Sequence, residues 1–199
     1  MSTEQNNTPG FIPPHGGYRK LLTYQKAEII YDGTVYFTGK YFPKYDRTIS
    51  QMIQAARSGK QNIAEGSMLS GTSKEAEIKL TNVARSSLEE LMLDYEDFLR
   101  SRNLPVWDKN HPQVIRLREI NKSTPQSNYD TFKFAIEHDI PEFSANAMIT
   151  LIKITTYLLK NQLNRLESDF IANGGLKEAM TQARLSIRNC TGHADEHRN

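Results

Sequence analysis

The chain has 199 residues, 38% hydrophobic and 24% charged, enough for a packed core in one domain or in a domain with an appendage. Its net charge of +2 excludes a nucleic-acid binder that works by bulk charge alone and leaves room for a local basic face. A single cysteine, Cys190, excludes an intrachain disulfide framework, and no apolar run approaches the roughly 20 residues that span a bilayer.

Residues 1–17 hold three prolines and three glycines without periodicity and read as a flexible leader. The leader has no apolar signal core, so a cytoplasmic protein with no membrane contact is expected. A first helix is expected from about Tyr18 to Phe42, stopped by Pro43, with Tyr24, Ala27, Ile30, Tyr31, Thr34, Thr38, Tyr41 and Phe42 on one face. Gly33 and Gly39 each weaken it by about 1 kcal/mol, which points to close approach by a neighbour or to a kink. A second helix begins after Asp46, a capping carboxylate, and aligns Ile49, Met52, Ile53, Ala56, Ile63 and Ala64. Lys60 falls inside that stripe. It either snorkels to water or meets an ion-pair or binding partner.

The stretch NIAEG, residues 62–66, reads as the end of the second helix, SMLSG as the crossing and TSKEAE as the capped start of the third. Gly66 and Gly71 then serve as turn residues, and Thr72 with Glu75 forms a capping box. The third helix carries a stripe from Ala76 through Leu80, Ala84, Leu88, Leu91 and Tyr95 to Leu99. Ile78, Met92 and Leu93 lie off it, as a subunit interface or as scattered surface residues. These elements fill residues 18–102.

Residues 103–141 form an inserted connection, divided by Pro105, Pro112, Pro125 and Pro141. PQVIRLREI is one short amphipathic helix with Pro112 in its first turn, and NYDTFKFAIEH is another helix or an extended packing segment. The fourth long helix, in 142–173, becomes regular at about Ser144 and aligns Met148, Leu151, Ile152, Thr155, Leu159, Leu163, Leu166 and Phe170 before NGG ends it. A suffix helix from Leu176 to Asn189 lies in 174–190, and 191–199 reads as a disordered tail. Strand-like alternation is almost absent. The expected fold is all-α: an antiparallel up-down four-helix bundle with an expanded connection between its third and fourth helices and an extra C-terminal helix.

The chemical motifs are weak. GKQNIAEG lacks Walker spacing, and no strand precedes it. The histidines are scattered, HADEH is not a metalloprotease motif, and consecutive residues in EHD point apart on a helix, so no metal and no cofactor are expected. Cys190 has no His and Asn framework. Glu65 lies near a helix end that disfavours negative charge and so calls for a bond to the turn or to the third helix. An enzymatic reading would need Glu65 to converge with Lys60 or Arg57; none is favoured. The candidate nucleic-acid contacts are Arg47, Arg57, Lys60, Lys74, Lys79 and Arg85 on the hairpin of helices two and three. Further cations, Arg116, Arg118, Lys122, Lys153, Lys160, Arg165, Arg184 and Arg188, follow in the C-terminal half.

The hairpin also carries a pattern. AARSGKQNIAEG, from Ala55 to Gly66, followed by SKEAEIKLTNVARSSLEEL, from Ser73 to Leu91, resembles the four-helix-bundle proteins encoded by intervening sequences of bacterial large-subunit ribosomal RNA genes, a group that includes accessory proteins of diversity-generating retroelements. The resemblance covers about Leu22 to Arg100, with 144–170 as a looser match to the fourth helix. The long connection and the suffix helix depart from the usual pattern. The resemblance implies a bacterial, non-enzymatic homo-oligomer, a pentamer in most members, that binds RNA or DNA, or a protein partner such as a reverse transcriptase. It offers no catalytic residues. It implies that Asn62, Glu65, Gly66 and Ser87 shape the hairpin, with Ser87 small enough for close helix packing; the off-stripe positions of Ile78, Met92 and Leu93 make them the candidates for an interface between copies. A scaffold that binds protein and no nucleic acid is the alternative.

Overall fold

The apolar stripes fold as helices. The computed structural model describes residues 15–195, by backbone alone from 186 onward, and its regular structure is helical. In chain order the helices are α1 (Leu22–Tyr41), α2 (Arg47–Leu69), α3 (Lys74–Ser101), α4 (Pro112–Ser123), α5 (Tyr129–Ile136), α6 (Pro141–Asn173) and α7 (Leu176–Asp195). None of the described helices is long and apolar enough to cross a membrane.

Packing follows from which stripes are widest. α1 lies against α2 and α6, and α3 lies against the same two, so these four helices close a cycle of neighbours. Their shared core holds Ile30, Phe37, Met52, Ile63, Leu88, Leu91, Leu99, Met148 and Ile152. Each such side chain contributes about 1.5–3 kcal/mol when withdrawn from water. Phe37 has its ring centroid 4.8 Å from those of both Tyr95 and Phe98. The buried Tyr95 hydroxyl donates to Thr34 Oγ1 at 3.1 Å, and Thr34 in turn donates to the Ile30 carbonyl, so this buried polar chain is satisfied. Ser58 faces Ser87 while Gly66 faces Thr81, which makes α2 and α3 antiparallel. Thr23 bonds to Gln162 while Gly33 meets Met148, which makes α1 and α6 antiparallel as well.

Several ends differ from the sequence expectation. The first helix starts at Leu22, because Gly17 takes a left-handed φ of 78° and Leu21 is extended, which separates a single 3-10 turn, Tyr18–Lys20, from α1. α2 does not stop at Gly66 but runs to Leu69, leaving only residues 70–73 between it and α3. Neither Gly66 nor Gly71 has a positive φ; a Cβ on Gly66 would lie 3.4 Å from the Glu77 carbonyl, so this glycine lets two helices approach and makes no turn. Ser73 caps α3 by accepting from the Ala76 N–H, whereas the Thr72 hydroxyl donates back to Leu69, so the expected Thr72–Glu75 box does not form. Asp46 does cap α2, accepting from the Thr48 N–H.

The connection is folded back and packed. His111 caps α4 ahead of Pro112, and NYDTFKFAIEH is helical as α5 because Asn128 and Thr131 cap it reciprocally. Both helices pack on α6, with Val114, Leu117, Phe132 and Ile136 buried. α6 itself begins at Pro141, which suits a first helical turn. The buried Asn146 accepts from Trp107 N–H at 2.8 Å and donates to the Pro105 carbonyl at 3.0 Å, pinning the chain between α3 and α4. At the other end, residues 191–195, expected in a disordered tail, are helical, since Gly192 weakens a helix without breaking it. Residues 1–14 and 196–199 lie outside the described residues. Of the expected leader, His15 abuts Gly71 and the Gly16 N–H donates to the Ser67 carbonyl, so its last residues are tied to the α2–α3 turn.

Candidate functional site

The α2–α3 hairpin is built around small residues. A Cβ on Gly59 would fall 2.7 Å from Leu88 Cδ2, so the two helices touch nearly backbone to side chain there. One turn away, Asn62 Nδ2 donates to the carbonyl and hydroxyl of Ser58, and the Ser58 hydroxyl meets that of Ser87 at 2.9 Å. Asn62 and Ser87 thus both bond to Ser58 at the crossing. Glu65 does not. Because α2 continues past it, its carboxylate is carried outward, exposed and without a hydrogen bond or ion pair to any described residue.

The six hairpin cations divide into three groups. Lys74 pairs with Glu77 at 3.0 Å and Arg85 with Glu89 at 3.2 Å, each within its own helix. Lys60 is half-buried against α1, its ammonium 4.1 Å from the Tyr31 ring centroid. Burial raises the pKa of nearby Asp32, the Lys60 charge offsets part of that, and Glu28 adds to it. Arg47, Arg57 and Lys79 stay exposed. Between α2 and α3 runs an open groove of about 730 Å³ whose lining includes Ser50, Gln54, Ser58, Ser87, Glu90 and Asp94. Desolvation, then the neighbouring Glu90 and Asp97, push the Asp94 carboxyl above its usual range. A groove with these carboxylates repels phosphate. Of the apolar trio, Ile78 is half-buried, Met92 packs against the core, and Leu93 is 58% exposed.

A different face gathers cations without neutralising them. Where α4 crosses α6, a hollow of about 110 Å³ has Trp107, Asp108, Lys109, Arg118, Asn146 and Lys153 in its lining, three cations against one carboxylate. Asp108 Oδ1 is engaged by the Asn110 N–H at 2.6 Å. The Trp107 ring stacks on His111 with centroids 4.1 Å apart, and its Nε1 donates to Glu142. One turn along the same side of α6 comes Tyr157, 64% exposed, and then exposed Lys160. Among the described residues none of Lys109, Arg118, Lys153 and Lys160 is ion-paired. Sequence reasoning noted three of these four as C-terminal cations. It missed Lys109, Trp107 and Tyr157, although a Lys-x₃-Tyr-x₂-Lys spacing on the polar side of the fourth helix was there to read.

Lys26 also escaped the sequence reading. It is 2% exposed in the second turn of α1, its Nζ donating to Ser127 Oγ and lying 5.4 Å from the Phe132 ring centroid. Burial depresses its pKa to about 8. Among the described residues no group of three or more His, Cys, Asp or Glu side chains is placed to hold a metal ion. Comparison with protein-family models, with curated proteins and with solved structures found no match.

Proposed function

We propose that this protein is a non-enzymatic, self-assembling antiparallel four-helix bundle that binds RNA or DNA, alone or with a nucleoprotein partner, through a basic surface. The observation that supports this reading is the convergence of Lys109, Arg118 and Lys153 on one hollow, with Lys160 beyond it, none of them paired with a carboxylate among the described residues. Unpaired cations on one face release counterions when they meet phosphates, and that release drives binding. The exposed Arg47, Arg57 and Lys79 of the hairpin are secondary contacts in this reading. Assembly into a ring, a pentamer by resemblance, repeats the face in each copy, so weak phosphate contacts add.

The test is affinity for RNA and DNA as salt rises, together with sedimentation mass with and without RNA. Affinity is expected to fall steeply with salt, and Lys153→Glu is expected to weaken it more than Lys74→Glu, whose parent already satisfies Glu77. No binding at low salt would end this reading. The scaffold reading is favoured by one observation, the 58% exposure of Leu93 on the outer side of α3. Under it, Leu93→Glu lowers the sedimentation mass, and a captured protein partner is retained after nuclease treatment.

A further inference from the structure

We infer that the open side of α6 takes single-stranded nucleic acid, with a base stacked on Tyr157 and phosphates held by Lys153, Lys160, Lys109 and Arg118. The inference rests on the nucleic-acid reading above and names which form of nucleic acid this face accepts. Tyr157 leaves 64% of its surface in water in the middle of a polar helix face, so core packing does not explain its place. Lys153 stands four residues before it and Lys160 three residues after, which on a helix are its immediate neighbours above and below. Together they cover about 10 Å of helix axis. An aromatic plane flanked on both sides by cations is the arrangement that binds a single strand, since every unpaired base offers a π-face and the backbone runs past on either side.

A duplex fits this face less well, for two reasons. Its bases are stacked on one another and cannot reach the tyrosine ring. The other route, a helix laid in the major groove, needs a helix of about 10–12 Å diameter that is open on its flanks. α6 is flanked by α1, α3, α4 and α5 and exposes only a strip. Lys109 and Arg118, brought in by the folded connection, extend the cationic track beyond the N-terminal side of Lys153. Asp108 at that end has its oxygen engaged by the Asn110 N–H, which tempers its repulsion of phosphate.

The experiment is fluorescence anisotropy of the full chain with a fluorescein-labelled oligothymidylate and with a blunt duplex of equal length, at low and rising salt. The single strand is expected to bind more tightly than the duplex. Tyr157→Ala is expected to weaken single-strand binding about tenfold or more while Tyr157→Phe keeps it, because stacking needs the ring and not the hydroxyl. Lys160→Gln is expected to reduce the slope of log affinity against log salt by about 0.7. Circular dichroism of each variant verifies the fold, which an exposed side chain does not support. If Tyr157→Ala binds like the parent, or the duplex binds as tightly as the single strand, this inference falls while nucleic-acid binding stands. If neither probe binds at low salt, both fall together.

Discussion

Lys26 is a buried cation with few partners. Its ammonium has three donors and one hydroxyl acceptor, Ser127 Oγ, with the Phe132 ring as its other favourable neighbour. Desolvation therefore disfavours the charged form, and the folded pKa drops from 10.5 to about 8. The linkage has a definite sign. Between these two values the unfolded chain holds a proton that the folded chain has released, so stability attributable to this residue rises with pH across that window and is lowest below it. Lys26→Met removes the penalty and is expected to stabilise the fold by about 1–3 kcal/mol at neutral pH. The parent and the variant should converge as pH climbs from 8 toward 10, measured as denaturation midpoints over that range. A gap that stays constant with pH would show that the lysine's charge is not what destabilises the parent. Sequence alone could not have exposed this residue, because its own neighbours in α1 are an ordinary mix and the groups that bury it arrive from residues 127 and 132.

At the level of the helices, glycine has opposite meanings at different positions. Gly59 stands where a methyl group would meet Leu88 at 2.7 Å, whereas at Gly39 the same methyl meets nothing within 4 Å. Gly59→Ala forces apart a well-packed crossing and is expected to destabilise by about 1–3 kcal/mol. Gly39→Ala removes only the backbone freedom of the unfolded chain and is expected to stabilise by about 0.4–1 kcal/mol. Paired urea titrations of the two variants decide it; equal shifts of the same sign would refute the contrast. The existence of the long helices was legible from their stripes, since Met52 through Ile63 and Leu88 through Leu99 bury as their spacing implied. Their ends were less legible. Gly66 looked like a stop because glycine is permissive there, but the close face of α3 rewards a helical glycine and carries α2 one turn further. The capping role fell to Ser73, a neighbour of the residue the motif favoured.

For the molecule as a whole, the departure from the sequence reading lies in residues 103–141. Four prolines cut this stretch into pieces, read as an inserted connection with one short helix and a second helix or extended segment, with no sign of where the pieces pack. Instead α4 and α5 fold back over α6, and the anchor is a pair of hydrogen bonds from one buried asparagine, which no periodicity announces. That folding also decides where unpaired cations collect, since Lys109 and Arg118 reach Lys153 only through it. The hairpin motif drew attention to Lys74 and Arg85, and short-range glutamates on the same helix already answer them. Asn146→Leu leaves the Trp107 N–H and the Pro105 carbonyl without partners. Because sub-regions with few buried contacts open before the rest, it is expected to shift the Trp107 emission transition to lower denaturant more than the helical ellipticity. Coincident shifts in both signals would mean that the folded-back segment and the long helices melt as one unit.

The stack of Trp107 on His111 has one more use. The chain contains a single tryptophan, and it sits at the rim of the hollow where Lys109, Arg118 and Lys153 meet. Its ultraviolet glow therefore comes from that corner alone, an unlabelled gauge by which occupancy and melting can be followed in the same cuvette without attaching a dye.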